Sequence, residues 1–333
     1  MSVTIRDVAR AAGVSVATVS RAFNDSGPVH AETRQRIRDV AQAMRYVPNS
    51  AARTLTTSKA NACGVLLPDL YGEFFSEVIR GIDQTARRHG HHVLVSSSHD
   101  DQSELEAAVR AMRGRVDGLI LMLPDIDVHA VAANLPEQLP VVLINAADTE
   151  GAFDTISLDN YGGAYTMVRH LLAQGRERVA IITGSPRNQD ARERLRGYSA
   201  ALWDAGAEWR ADWEIPGDFT EAGGYRAGKA LAALDPRPNA VFAANDAMAI
   251  GALSAFREAG LLVPIDIAVG GFDDVPMARY MSPPLTSVHV AISELGVQAM
   301  TTLLDAAREH NQHVRRRVVL PATLRVRDSC GAR

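Results

Sequence analysis

The 333-residue sequence predicts two architectures in one chain. The first is an N-terminal all-α head of three helices in a helix-turn-helix arrangement, followed by a hinge helix. The second is a C-terminal α/β body of two doubly wound parallel-sheet subdomains. Three observations predict this division. Residues 1–60 carry nine Lys and Arg against four Asp and Glu, whereas the remainder carries 26 against 35, so a basic front precedes an acidic body. Helix caps and turn residues crowd the first 45 positions. From Ala62 onward, β-rich runs alternate with amphipathic helical stretches.

The elements follow in order. Thr4-Ile5-Arg6-Asp7 reads as a capping box, and Ile5, Val8, Ala9 and Ala12 recur at helical spacing, which predicts a helix over 5–12. Gly13 ends it, and Ser15 caps a second helix from Val16 to Phe23 whose Val19 and Phe23 face the core. After the loop Asn24-Asp25-Ser26-Gly27-Pro28, residues Ile37, Val40, Ala41 and Met44 predict a third helix. A helix presented outward by such a turn fits the DNA major groove. Val16 and Ala17 on its face suit thymine methyls, Arg21 suits guanine or a phosphate, and Thr18 and Ser20 suit the DNA backbone. Read by spacing and charge alone, the same residues also describe a plain three-helix bundle. Asn49 is a good N-cap, but Ser50 to Leu55 is too short to hold a helix alone in water and should order only on a template. Thr56 to Lys59 form a polar linker.

In the body, the runs Cys63–Leu67, Val93–Ser96, Gly118–Leu123 and Val141–Ile144 make one half. Val179–Thr183, Ala240–Ala243 and Ile267–Gly271 make a second, with helices such as Arg192–Ala205 and Ala247–Ala259 between them. Ligands in such sheets bind beyond the carboxyl ends of the strands. Asp69, Asn145, Asn245-Asp246 and Asp273-Asp274 fall there and should converge on one cleft, where carboxylates and amides suit vicinal hydroxyls. Each of them is equally at home as a loop or helix cap.

The run Thr4 to Asn24 (TIRDVARAAGVSVATVSRAFN) resembles the DNA-binding signature of the lac repressor and galactose repressor family, and Arg45 to Leu55 (RYVPNSAARTL) resembles that family's hinge. The resemblance continues through Val116–Ile120, Asp159–Ala164, Ala244–Ala249 and Gly271–Pro276, and so covers essentially the whole chain. It implies a head over 1–47 and a hinge and linker over 48–60. A periplasmic-binding-protein-like sensor would then occupy 61–333, with crossovers between its subdomains near 160, 290 and 320. The DNA-binding residues it implies are Thr4, Ser15, Val16, Ala17, Thr18, Ser20, Arg21, Asn24, Asn49, Ala52 and Leu55, with the second helix in the major groove and the hinge in the minor groove. There Leu55 is an apolar wedge in a central CG step and Ala52 lets paired hinge helices approach. The effector contacts it implies are Asp273 and Arg194, then Asn245 and Asp159, with Phe74 and Phe75 either facing the effector or filling core; Asp69 joins them from its strand end.

The expected partners are therefore palindromic operator DNA, a small-molecule effector of sugar type and a second copy of the chain. A purine-responsive, co-repressed regulator is the alternative. A sugar-processing enzyme is the rival from another class, and it lacks a recognisable nucleophile, metal set or phosphate loop. No cofactor or metal is expected: His89, His91 and His92 read as a turn, and adjacent Asp273 and Asp274 do not make a glycosidase pair. Cys63 and Cys330 match no disulfide framework. The N-terminus has no signal-peptide pattern and no window spans a bilayer, which together imply a cytoplasmic protein without a membrane partner. The closing segment Leu320–Cys330 is followed by no tetramerising heptad helix.

Overall fold

The computed structural model describes residues 3–24, 27–47, 60–99, 101–125, 135, 139–146, 151–309 and 312–332. The chain forms two compact units, a smaller one of residues 1–61 with 114–117 and a larger one holding the rest. The hinge residues Asn49, Ala52 and Leu55 lie outside the described residues.

In the head, α1 (Ile5–Ala11) begins where the Asp7 carboxylate accepts from both the backbone N–H and the hydroxyl of Thr4, at 3.0 and 2.7 Å. These bonds hold Asp7 below the usual carboxylate range. Gly13, at φ +66°, takes the left-handed turn that sends the chain into α2 (Val16–Asn24). The third helix, α3 (Ala31–Ala43), closes a core of Val8, Ala12, Val19, Ala22, Ile37 and Ala41. Phe23 and Tyr46 seal its edge with ring centroids 6.0 Å apart.

The larger unit contains two six-stranded sheets. The first, in order β11-β5-β4-β3-β1-β2, is parallel throughout and uses β1 (Ala62–Leu67), β2 (His92–Ser97), β3 (Leu119–Met122), β4 (Val141–Ile144), β5 (Asp154–Leu158) and β11 (Arg317–Leu320). The second, in order β12-β10-β9-β8-β6-β7, uses β6 (Val179–Thr183), β7 (Glu214–Pro216), β8 (Ala240–Ala243), β9 (Ala268–Asp273), β10 (Thr286–Val290) and β12 (Ala322–Arg325). It is parallel except for β12, an antiparallel edge strand on β10.

Helices α4 (Glu73–Arg88) and α5 (Gln102–Met112) belong to the first lobe, and α6 (Asn160–Ala173), α7 (Gln189–Ala205), α8 (Glu221–Ala232) and α9 (Asp246–Glu258) to the second. The chain passes between lobes after β5, after β10 into α10 (Ile292–Glu309), which packs on α4, and again between β11 and β12. α4 and α10 meet backbone to backbone: a Cβ on Gly81 would stand 2.0 Å from the Ser293 carbonyl oxygen, and one on Gly296 would stand 2.2 Å from that of Val78. Glycine is required where these helices cross. Central strands are buried along their whole length, as a sheet covered on both faces demands.

Candidate functional site

In the head, the Ser15 hydroxyl accepts from the Thr18 N–H at 3.1 Å, so the side chain that starts α2 also satisfies its free backbone donor. Thr18 is drawn into the cap, its hydroxyl 2.9 Å from that of Ser15, and Ser20 is half-buried. Val16, Ala17 and Arg21 are exposed, whereas Val19 and Ala22 face the core. The outer face of α2 thus presents two apolar side chains and a guanidinium. Thr4 is committed to Asp7, and Asn24 closes the helix.

In the body, a cavity of about 390 Å³ opens at the carboxyl ends of both sheets. β1 and the loop after it bring Pro68 and Asp69, and the first turn of α4 brings Phe74 and Phe75, whose rings meet edge to face at 5.7 Å. From the second lobe come Asp190 and Arg194 on α7, Asn245 before α9 and Asp273 at the end of β9. Of the seven residues singled out for an effector, six line this cavity. Asp159 does not: it is exposed and accepts from the Gly162 N–H at 2.8 Å, capping α6.

Arg194 is the centre of the polar floor and is 3 % exposed. Its Nε donates to Asn160 Oδ1 at 2.8 Å, its Nη1 donates to the Ala244 carbonyl, and its guanidinium lies 3.7 Å from the centroid of the Phe272 ring. Asp190 accepts from Asn145 and Asn160 at 2.7 and 2.9 Å. Burial pushes its carboxyl up to about 6, with Arg194 and the two amides opposing.

Asp273 differs from Asp190. Its Oδ1 stands 3.4 Å from Arg194 Nη2, and this buried oxygen finds no hydrogen-bond partner among the described residues. Burial is the chief reason its carboxyl is pushed up to about 7, against the pull of Arg194. Its φ of +104° is a conformation that costs a non-glycine residue about 1–3 kcal/mol and persists where the surroundings enforce it. A strained, desolvated acceptor beside a guanidinium is prepared for hydroxyl or amine donors from a ligand.

The expected convergence of all strand-end Asp and Asn residues is corrected in three places. Asn145 lies behind Asp190 rather than on the cavity wall. Asp246 turns away, accepting from the Ser287 hydroxyl and the Val275 N–H at 2.6 and 2.9 Å, and so fixes the loop after β9. Asp274 pairs with Arg327 at 2.6 Å and His289 at 3.0 Å outside the cavity. β9 ends at Asp273 and the chain turns at Asp274, φ +54°, whereas Asn245 caps α9 and Asp246 begins it, so within each pair the two side chains leave in different directions. Asn245 does line the cavity while capping α9 through Met248 N, and Asp69 does so while its Oδ1 accepts from Leu70 and Tyr71 N–H.

Sequence reasoning passed over Asp190, Tyr71 and Phe219. Asp190 had a signal, since it precedes Arg194 by four positions, one helical turn, and stands two positions after the cap Asn188. Phe219 had none: it reaches the cavity from a loop, at φ +64°. Two contacts cross the mouth, Tyr71 Oη to Glu221 at 3.4 Å and Met277 N–H to Glu73 at 3.0 Å. Among the described residues no helix is long and apolar enough to cross a membrane.

A turn-mounted helix suited to the major groove, in one chain with a two-lobed body around a ligand-sized cavity, defines a ligand-responsive DNA-binding regulator. Comparisons with known proteins agree. The family model of bacterial regulatory proteins, lacI family, matches residues 4–49, and that of the periplasmic binding protein-like domain matches residues 168–330. The ribose operon repressor of Escherichia coli is 34% identical over 305 residues, 90% of this chain and 92% of that protein. The HTH-type transcriptional repressor PurR of Photobacterium profundum is 32% identical over 98% of each chain. The crystal structure of the lac repressor dimer bound to operator and the anti-inducer ONPF superposes with a TM-score of 0.90, at 31% identity and full coverage of both chains. The chain belongs to the lacI family of bacterial regulatory proteins and is a DNA-binding transcriptional regulator.

Proposed function

We propose that this regulator is a cytoplasmic homodimer without enzymatic activity or cofactor, that it represses carbohydrate-utilisation genes, and that a sugar in the cleft controls its grip on a palindromic operator. The observation that carries the sugar reading is Asp273, a buried carboxylate whose Oδ1 is ion-paired with Arg194 at 3.4 Å and has no hydrogen bond among the described residues. Together they offer an acceptor and a donor side by side, the pair of roles that hydroxyl groups call for. Likeness to a protein named ribose operon repressor supports it, and likeness to a lac repressor dimer on operator supports the dimer and its DNA. A nucleobase is the second reading, favoured by the Phe74, Phe75 and Phe219 rings on the same walls.

Effector binding across the cleft would change the angle between lobes, and with it the spacing of paired hinges, so that DNA and effector alter each other's affinity reciprocally. Induction is the expected sign and co-repression the alternative. On the DNA side Val16, Ala17 and Arg21 would read bases and Leu55 would wedge the centre of the operator.

Thermal unfolding of the full chain against sugars and nucleobases tests the first half. A ligand at a hundredfold excess over its Kd should stabilise by about 2.7 kcal/mol, a shift of several degrees. A response to sugars supports the reading, and a response to nucleobases alone replaces it with the second. Leu55→Ala should weaken specific operator binding while leaving effector affinity intact; unchanged operator affinity removes the wedge.

A further inference from the structure

The cavity sits where four helices begin. Glu73 opens α4, Asn188 and Asp190 open α7, Thr220 and Glu221 open α8, and Asn245 opens α9, and all of these residues line it. Helix N-termini carry unsatisfied N–H groups and a partial positive charge, so a cleft walled by four of them would ordinarily welcome a phosphate or carboxylate.

In this chain those positive ends are already answered. The side chains of Asn188, Thr220 and Asn245 each accept a first-turn backbone N–H at 3.0 Å. Every one of the four helices also places an acidic residue in its first turn: Glu73, Asp190, Glu221 and Asp246. Among the described lining residues the acids outnumber the bases: Asp69, Glu73 and Glu221 stand at the rim, Asp218 pairs with Arg226, and Asp190 and Asp273, raised by burial, share Arg194, the one basic residue on these walls. Arg194 is itself engaged by Asn160, Ala244 and Asp273. Among the described residues, the one buried side-chain atom on these walls that lacks a hydrogen bond is Asp273 Oδ1, which in its ionised form accepts only and so calls for a donor from the ligand.

Building on the sugar reading above, we infer that the cleft selects an uncharged polyhydroxy effector and rejects its phosphorylated and acidic derivatives. A phosphate at the starts of α4, α7 or α8 meets the carboxylate of Glu73, Asp190 or Glu221, and at α9 it meets a first-turn N–H already taken by Asn245. The discrimination resides in charge, with Glu73 and Glu221 as its outer determinants. Each holds a contact across the mouth through an acceptor oxygen that glutamine also possesses, so the charge is separable from the contact.

Isothermal titration calorimetry on the full chain tests this with matched pairs: D-ribose and D-ribose 5-phosphate, D-glucose and D-glucuronate, hypoxanthine and inosine 5′-monophosphate. The neutral sugar should bind at least about tenfold more tightly than its anionic partner. Glu73→Gln with Glu221→Gln should narrow that gap by about three- to thirtyfold, the effect of two charges at helix N-termini. An anionic sugar that binds as tightly as the neutral one overturns the inference and leaves the sugar reading standing. A gap untouched by both substitutions overturns it too, because size and not charge would then discriminate. Silence from every neutral sugar, with or without binding of hypoxanthine, overturns the sugar reading and this inference with it.

Discussion

The two lobes of the body share a sheet architecture but divide the chemistry of the cleft between them. The first lobe contributes Pro68, Phe74, Phe75, Met122 and Pro124, a largely apolar wall with carboxylates only at its rim. The second adds apolar groups of its own, Phe219, Ile250, Val275 and Met277, and it alone brings a buried polar set, Asp190, Arg194 and Asp273, each less than a tenth exposed and tied into one network with Asn160 and Asn145. Polar groups buried in a connected network are rigid, because each is oriented by its neighbours, whereas an apolar wall accommodates by contact and shape. The second lobe is therefore built to orient a ligand and the first to cover it. On the function proposed above, closure across the cleft would bury apolar surface against a ligand already held by directional bonds.

The comparison breaks most readily at Arg194. Arg194→Ala leaves Asp190 and Asp273 buried without their counter-charge and should destabilise the body by about 3–5 kcal/mol, read from urea unfolding. A loss no larger than that of an exposed arginine would mean that the second lobe is not organised around it.

Asp273→Ala is next. It should weaken effector binding by about 1.5–3 kcal/mol, roughly ten- to hundredfold by calorimetry, and should cost less stability than Arg194→Ala, because Arg194 keeps Asp190 as a counter-charge. Unchanged effector affinity takes Asp273 out of the site. On the opposite wall, Phe74→Ala and Phe75→Ala should each cost effector binding about 0.5–1.5 kcal/mol. A loss as large as that of Asp273→Ala would erase the division of labour between lobes.

The smallest effect is on pH dependence. Asp273 and Asp190 are raised in the folded chain, to about 7 and about 6, above the ordinary Asp value near 3.8. Between these limits the folded state binds more protons than the unfolded one. Their contribution to the stability of the ligand-free chain is thus present at low pH and declines as pH rises from about 4 through about 7. Effector binding should show the opposite slope, because ligand donors favour the ionised carboxylate, and Asp273→Asn should flatten both slopes. Thermal unfolding and calorimetry at pH 5, 6, 7 and 8 measure them. A slope retained in full by Asp273→Asn would assign the proton to another group.

Residues close in sequence settled much of this molecule before any fold was known. The cap of α1 at Thr4 and Asp7, the turn at Gly13 and the cap of α2 at Ser15 depend on bonds spanning three or four positions, and the fully buried strands β4, β6 and β8 announce themselves as short apolar runs. β7, β10 and β11 were not separable in this way, because three residues, a Thr-Ser-Val-His-Val run and an edge strand exposed on one side carry no distinctive pattern.

In the cleft, sequence supplied the candidates and tertiary structure chose among them. It set Asp273 against Asp274 and Asn245 against Asp246 by the direction of a side chain on its backbone, and it turned Asp159 into a helix cap. It brought residues from Pro68 to Met277 around one cavity. A cap or a periodic face is a property of neighbouring residues, so composition and spacing reveal it. Desolvation, the Asp273 oxygen with no hydrogen bond among the described residues, and the shared reach of Arg194 exist only once distant strand ends meet.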